Sequence, residues 1–141
     1  MKDQIYVYIA GSYRGDTVVN VGKAAMFAAW LNAAGNGRIF CIVPHTMTAP
    51  VDYGMSCDGI DLGDKYWLKG TDWMRSKCDC IVMIGDWRQS YGSKGERSMA
   101  ILEQQPTFYE EEYTDVKNEV VAYSSLAADI IAHFDQEDNA P

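Results

Sequence analysis

The sequence CIVMIG at residues 80–85 is an apolar, β-like run, and SYGSKGE at residues 90–96 follows it after a short polar segment. A helix-like segment, SMAIL at residues 98–102, comes next. The order is therefore a strand, a glycine-rich turn and a helix with a carboxylate, Glu96, in its first turn. Backbone N–H groups at the start of a helix bind anions, and a carboxylate beside them is able to act as a nucleophile. The stretch predicts a site for a phosphorylated or sugar-bearing ligand.

Segments of the same two kinds alternate along the rest of the chain. Further β-like runs occupy residues 5–10, 38–43 and 106–109, and apolar residues recur at helical spacing in 17–34, 60–77, 92–104 and 115–134. Strands that alternate with helices form parallel βαβ units. We therefore predict a three-layer α/β/α sandwich around a mostly parallel sheet of four to five strands, flavodoxin-like or Rossmann-like.

One segment fits neither kind. Residues 45–59 have no clear period and contain Pro50, Gly54 and Gly59, so they are predicted to form a long loop. Long loops in compact α/β domains are often functional. His45 directly follows the second predicted strand, where it either contacts a ligand or serves as a hydrogen-bonded structural histidine.

The bulk properties limit the class of protein. With 141 residues, 48% of them hydrophobic, the chain is predicted to form one domain over residues 1–134, with a flexible acidic tail over 135–141. The net charge of −8 argues against a nucleic acid polymer as partner. The sequence enters a strand almost at once and has no apolar run of membrane-spanning length, so we expect a cytoplasmic protein without membrane contact. The 4 cysteines lack zinc-site spacing, and neither a metal nor an organic cofactor is expected.

In open α/β sheets, ligands bind beyond the carboxyl ends of the strands, where the strand order reverses. The turn after the first strand is predicted to meet the stretch 90–96 at that edge, and its candidate binding residues are Gly11, Ser12, Tyr13, Arg14 and Gly15. The glycines allow close approach of the backbone, the serine offers a hydroxyl, and the arginine offers a fork for phosphate. The alternative is an ordinary βα turn with a solvated arginine.

The second turn contributes Ser90 and the N–H groups around Gly92, which are candidates to cradle a phosphate. Glu96 has an alternative interpretation as a carboxylate that the helix dipole stabilises. Asp72, between two tryptophans, is either a surface residue or, if it faces the same pocket, a second carboxylate for proton transfer.

These motifs resemble the nucleoside 2-deoxyribosyltransferase superfamily, which includes the deoxynucleoside 5′-monophosphate N-glycosidases. The resemblance rests on the GSYRG turn at 11–15, on Asp72 ahead of the CDCIV strand at 78–82, and on the spacing from Ser90 through Gly92 to Glu96. It covers roughly residues 5–109. The GSYRG turn is more similar to the monophosphate glycosidases than to the nucleoside transferases.

The resemblance implies a role for each residue. Glu96 would attack the anomeric carbon and form a glycosyl-enzyme, and Asp72 would handle a proton at the leaving base. Ser90, Gly92, Ser12 and Arg14 would contact the sugar or the 5′-phosphate. A small-molecule nucleoside or nucleotide is thus the expected partner, and a homo-oligomer, a dimer or larger, is expected by the same resemblance.

Two other functions use the same features. A nucleotide-binding protein without catalysis, such as a sensor or a sequestering protein, would use the same turns. A TIR-like enzyme that consumes NAD would also use a glutamate on a helix.

Overall fold

Strands and helices alternate along most of the computed structural model, which describes residues 2–140. The outer limits of the predicted domain and tail, residues 1 and 141, lie outside that range. The strands are β1 (Ile5–Ala10), β2 (Ile39–Ile42), β3 (Cys80–Met83), β4 (Thr107–Tyr109), β5 (Thr114–Asp115) and β6 (Val120–Val121). The helices are α1 (Thr17–Ala34), α2 (Pro44–Cys57), α3 (Asp64–Ser76), α4 (Tyr91–Leu102) and α5 (Tyr123–Glu137).

The first four strands form one parallel sheet in the order β2-β1-β3-β4. Because β2 lies on one side of β1 and β3 on the other, the strand order reverses between β1 and β3. The carboxyl ends of these two strands therefore form the crevice in which α/β proteins bind ligands.

Helices cover both faces of this sheet, so the predicted three-layer α/β/α sandwich is confirmed. Side chains of β1 alternate between the faces, since Val7 and Ile9 pack under α1 and α5 while Tyr8 and Ala10 pack under α3 and α4. All of these strand residues are buried, as the near-continuous apolar runs indicated.

The predicted loop at 45–59 is wrong, because the segment forms α2. Pro44 occupies the first turn, where its fixed φ suits a helix and its missing N–H leaves no donor unpaired. Thr48 Oγ1 donates to the Pro44 carbonyl at 2.9 Å, one turn back. The helix lacks an apolar stripe, because Pro44 and His45 are its buried residues. The usual periodic signal of a helix is therefore missing from its sequence.

The predicted helix at 115–134 is also wrong in its first part. Residues 114–121 form the antiparallel hairpin β5-β6, and α5 begins only at Tyr123. Asn118 Nδ2 donates to Asp115 Oδ2 at 2.7 Å, and Glu119 adopts a left-handed φ of 53°, which closes the turn. Val116 and Val120, which suggested a helical face, are exposed on the hairpin.

Two further boundaries differ. Helix α3 begins at Asp64 rather than near residue 60, because Gly63 at its start has a φ of 77° that a helix cannot contain. Helix α5 continues to Glu137, three residues into the predicted tail, and Asp135 accepts a hydrogen bond from Arg38 Nη2 at 2.7 Å. Among the described residues, no helix combines the length and apolarity needed to cross a membrane.

Candidate functional site

The turns after β1 and β3 meet directly at the carboxyl edge of the sheet. Ser12 Oγ donates to the Asp86 carbonyl at 3.3 Å, and Ile84 N donates to the Ala10 carbonyl at 2.8 Å. Gly11 makes this approach possible, because a Cβ at that position would lie 2.7 Å from Ile84 Cγ1. The turn at 11–15 therefore contacts the loop that leads from β3 to the stretch 90–96.

A cavity of about 370 Å³ opens where these turns meet. This volume lies within the roughly 300–1,000 Å³ that small-molecule sites occupy. The cavity wall contains most of the predicted site residues, namely Gly11, Ser12, Tyr13, Arg14, His45, Ser90, Gly92 and Glu96. Gly15 is not part of the wall; its φ of 92° instead turns the chain into α1. Helices α2 and α3 complete the wall with Thr48, Asp52, Asp64, Trp67, Leu68 and Thr71.

Arg14 is a largely exposed arginine with a specific partner. Its guanidinium forms an ion pair with Asp64 at the start of α3, on the other side of the cavity wall. Both side chains are largely exposed, so the pair is a weak contact that a stronger anion is able to displace. The fork predicted for a phosphate is therefore present, but a carboxylate already occupies it.

His45 binds the turn after β1 rather than projecting freely into the cavity. Its Nε2 lies 2.9 Å from the Gly11 carbonyl and 3.2 Å from the Ser12 carbonyl. Two carbonyl acceptors require an N–H at Nε2, which leaves Nδ1 as the unprotonated nitrogen. Burial lowers the pKa of His45, which favours the neutral ring. His45 therefore acts as a hydrogen-bonded structural histidine, one of the two roles predicted for it, and its ring also lines the cavity.

Tyr13 packs on His45, with 5.9 Å between the ring centroids. Partial burial and then the nearby Asp52 carboxylate raise the pKa of the Tyr13 hydroxyl. Asp52, on α2, therefore places a carboxylate beside Tyr13 in the cavity wall, in addition to the carboxylate of Asp64.

The start of α4 is built as an N-terminal cap. Ser90 Oγ accepts a hydrogen bond from Ser93 N at 3.2 Å, so the Ser90 side chain serves the helix itself. The first-turn N–H groups of Tyr91 and Gly92 have no acceptor within the helix, as at every helix start. Ser93 Oγ is buried beside them and has no hydrogen-bond partner among the described residues.

Glu96 lies one turn further along α4, in the wall of the cavity. Its side chain is half-buried, and Oε2 is fully buried without a conventional hydrogen bond in the described part of the chain. The pKa of Glu96 is raised to about 7, chiefly by burial and also by the Asp72 charge, while the Tyr8 hydroxyl and the Arg75 charge act in the opposite direction. Glu96 is the sixth residue of α4, so it lies beyond the first turn, in which it was predicted and in which the helix dipole stabilises a carboxylate.

Asp72 does not line this cavity. It lies in a neighbouring, more open cleft between α3 and α4, whose wall it shares with Glu96, Leu68, Tyr91 and Gly92. Asp72 Oδ1 accepts a hydrogen bond from Arg75 Nε at 2.9 Å. The structure thus places both predicted carboxylates near each other. Within residues 2–140, Asp72 is ion-paired with Arg75 whereas Glu96 has no ion pair.

A family model described as a domain of unknown function, DUF4406, matches residues 5–109. The chain belongs to the DUF4406 family. No curated protein matches the chain. The matched part contains β1 to β4 and α1 to α4, and hence every residue of the cavity wall described above.

The loop after β3 of the DUF4406 domain is held by residues just past the matched part. Glu110 Oε1 accepts a hydrogen bond from Gly85 N at 2.9 Å, and Glu111 forms a bidentate pair with Arg88 at 2.6 Å. Two of the three carboxylates in the acidic run 110–112 therefore have specific partners. Between these contacts, Trp87 is buried with the Arg88 guanidinium 4.3 Å from its ring centroid.

Four important residues of the DUF4406 domain were not predicted from the sequence. Asp52 lay in the segment predicted to be a loop, Asp64 lay near the start of a predicted helix, and Tyr8 lay in the middle of a predicted strand. Arg75 is fully buried, although arginine is normally a surface residue. The one available signal for Arg75 was its helical spacing of three residues from Asp72.

Proposed function

We propose that this protein cleaves or transfers the N-glycosidic bond of a nucleoside 5′-monophosphate, deoxy or ribo, with Glu96 as the nucleophile. The observation that carries the proposal is the position of Glu96 in a cavity at the point where strand order reverses, beside a helix start and the GSYRG turn. The resemblance of these motifs to the nucleoside 2-deoxyribosyltransferase superfamily supports the same assignment. Membership of the DUF4406 family does not by itself name an activity.

The phosphate end of the substrate would bind between the two turns. The free N–H groups of Tyr91 and Gly92 favour an anion there, and the buried Ser93 hydroxyl is available to donate. Arg14 would exchange its Asp64 partner for the phosphate, which offers it a bidentate, doubly charged acceptor. Ser12 and His45 hold the backbone of the GSYRG turn in place for this contact.

In the reaction, an ionised Glu96 oxygen forms a bond to the anomeric carbon while the bond from that carbon to the base nitrogen breaks. The electron pair of the broken bond goes to the base, which takes up a proton. Water, or a second base in a transfer reaction, then attacks the same carbon and releases Glu96 as a carboxylate. Two displacements at one carbon retain the configuration of the sugar. The Asp72 carboxylate, ion-paired with Arg75, would relay this proton to the base from water in the adjoining cleft and return to water the proton that the attacking nucleophile releases.

The test is release of free base from a panel of deoxynucleoside and ribonucleoside 5′-monophosphates, followed by chromatography. We expect release from at least one member and complete loss with Glu96→Gln. Glu112→Gln, the same change at an exposed carboxylate away from the cavity, is the control and should react normally. Lack of release from every member, with folded protein, would contradict the proposal.

A nucleotide-binding protein without catalysis is a second candidate, and the ionisation of Glu96 favours it specifically. With a pKa of about 7, a large share of Glu96 is protonated at neutral pH and is able to donate a hydrogen bond to a ligand. Calorimetry followed by recovery of intact ligand would identify this function. The same panel should include NAD, because release of nicotinamide would identify the TIR-like alternative.

A homo-oligomer also belongs to this proposal. Trp73 and Tyr66 of α3 are 63% and 53% exposed and offer apolar surface for a second copy. The last helix offers less, because Leu126, Ile130 and Phe134 of α5 are buried in the core against α1 and the sheet. Light scattering that gives a monomer mass would contradict this part of the proposal.

A further inference from the structure

Arg75 is the largest fully buried side chain in the described part of the protein, and it connects the two helices that carry the proposed catalytic carboxylates. Each of its three nitrogens donates to a different side chain. Nε donates to Asp72 Oδ1 at 2.9 Å, Nη2 to Glu103 Oε2 at 2.9 Å and Nη1 to Gln105 Oε1 at 2.6 Å. Arg75 therefore binds its own helix, the end of α4 and the segment that leads into β4.

Gln105 completes the arrangement from the other side. Its Nε2 donates to the carbonyls of Arg75 and Cys78 at 3.0 and 2.9 Å. The Arg75 carbonyl belongs to the last turn of α3, and the Cys78 carbonyl lies just beyond the end of that helix. The guanidinium is thus held in one orientation, with its Nε edge fixed on Asp72.

Packing alone does not account for a buried arginine at this position. Replacing a buried ion pair by apolar residues of similar volume is often neutral or stabilising. Asp72 and Glu96, in contrast, have a specific need for a nearby cation. Two neighbouring carboxylates do not easily ionise together, because each charge disfavours the other.

The groups that face Glu96 come from two elements. Tyr8 reaches it from β1, and Asp72 and Arg75 act on it from α3. The charge of Asp72 opposes ionisation of Glu96, and the charge of Arg75 favours it. Glu103 and Cys78 also lie near Arg75. Glu103 forms an ion pair with Arg75 and so partly neutralises the charge of the guanidinium.

We propose that Arg75 is a positioning residue of this site, which fixes the Asp72 carboxylate beside Glu96 and supplies a counter-charge that favours ionisation of Glu96. Arg75 touches no substrate in this scheme and acts through Asp72. The consequence for turnover rests on the proposed function, whereas the consequence for the titration of Glu96 does not.

The test is the titration of the Glu96 carboxyl by carbon-13 NMR in the full-length protein, with its signal assigned by its absence in Glu96→Gln. Arg75→Met should raise the midpoint by about one pH unit, and Asp72→Asn should lower it. Arg75→Lys keeps the charge and should fall between the wild type and Arg75→Met. An unchanged midpoint in folded Arg75→Met, or equal midpoints in the lysine and methionine variants, would overturn the proposal.

Because loss of a buried charge partner can prevent folding, Glu103→Gln provides a second route. This change leaves Arg75, Asp72 and Glu96 in place and removes a competitor for the guanidinium charge. It should lower the Glu96 midpoint by a few tenths of a pH unit. If no Arg75 variant folds, a midpoint that is unchanged or raised in Glu103→Gln overturns the proposal.

Measuring base release together with the NMR midpoint tests this proposal and the proposed function separately. If both hold, the acid limb of kcat/KM moves with the NMR midpoint in the Arg75 and Glu103 variants. If the midpoint moves as expected but no variant or wild type releases base, Arg75 still sets the charge of the pair and the glycosidase proposal fails. If base is released but the midpoint does not respond to Arg75, the positioning proposal fails alone.

Discussion

The hydroxyl of Tyr8, in the middle of β1, lies beside the carboxyl of Glu96 on α4. A residue of the central strand thus bears on the ionisation of the proposed nucleophile. Tyr8 is completely buried, so its phenol is a fixed part of the core rather than a mobile surface group. The pair links the packing of the sheet to the chemistry of the cavity.

The first prediction concerns pH. Glu96 must be ionised to attack, and its pKa is raised to about 7 chiefly by burial. We therefore expect kcat/KM for the reactive nucleotide to rise as pH increases through about 7. Tyr8→Phe removes a hydroxyl that lowers this pKa. The midpoint of the acid limb, the low-pH side of the kcat/KM profile, should therefore rise by about half a pH unit to one unit.

Initial rates between pH 5 and pH 9 would measure this limb. Tyr6→Phe is the matched control, since Tyr6 lies on the same strand but is 41% exposed. An acid limb near the ordinary pKa of glutamate, or equal limbs in both variants, would contradict the assignment.

The second prediction concerns stability. The folded pKa of Glu96 is raised from 4.5 to about 7, so the folded protein binds this proton more tightly than the unfolded chain. The contribution of this group to stability is therefore present at low pH and is lost as pH rises from 4.5 to about 7. Glutamine does not titrate, so Glu96→Gln keeps its stability as pH rises. At pH 8 its free energy of unfolding should exceed that of the wild type by up to about 3 kcal/mol.

Urea denaturation at pH 4 and pH 8 would measure the difference. The advantage of Glu96→Gln over wild type should largely disappear at pH 4, where both states are protonated. Glu112→Gln should show no such dependence. An advantage that is equal at both pH values would indicate an effect of packing instead.

The third prediction concerns the Arg14–Asp64 ion pair. Asp64→Asn releases Arg14 for a ligand anion, and an exposed pair of this kind contributes up to about 1 kcal/mol. We expect inorganic phosphate, used as the probe, to bind about two- to five-fold more tightly to this variant at low salt.

Phosphate titration followed by amide NMR would give the affinity. Asp58→Asn, an exposed aspartate that caps the end of α2, serves as the control for loss of one negative charge. Equal affinities in the two variants would mean that Arg14 does not take part in anion binding.

The fourth prediction concerns Gly11. A methyl group there would meet Ile84 Cγ1 at 2.7 Å and the Ile84 carbonyl at 3.2 Å. Gly11→Ala should therefore separate the two turns and lower the free energy of unfolding by about 1–3 kcal/mol. Gly22→Ala, in open space on α1, should instead stabilise the protein by up to about 1 kcal/mol. Urea denaturation of both variants checks this contrast, and equal effects would contradict the close approach at Gly11.

The layers of the fold and the meeting of the two turns could be predicted from sequence. Continuous apolar runs marked the four main strands, because strands covered on both faces have no polar side. The position of Gly11, Arg14 and Glu96 at one edge then followed from the topology of parallel sheets. Helix α2 was missed because it is exposed on most sides, and the hairpin β5-β6 was missed because its valines occur at helical spacing.

The finer contacts of the site depended on tertiary structure. Arg14 could be predicted to bind an anion, but its partner Asp64 is fifty positions away and the contact depends on how α3 packs. The ion pair of Asp72 with Arg75 required both the helical register and the burial of that face. The burial that raises the pKa of Glu96 likewise arises from three elements that meet only in the folded chain.

The contacts of Glu110 and Glu111 matter for anyone who wishes to work with a shorter protein. A fragment trimmed to residues 5–109 would keep the whole cavity wall, yet it would lose both carboxylates that fasten Gly85 and Arg88. It would also uncover the face of the sheet that α5 protects. The unit that must be kept for crystallography or engineering is therefore larger than the unit that sequence similarity delimits.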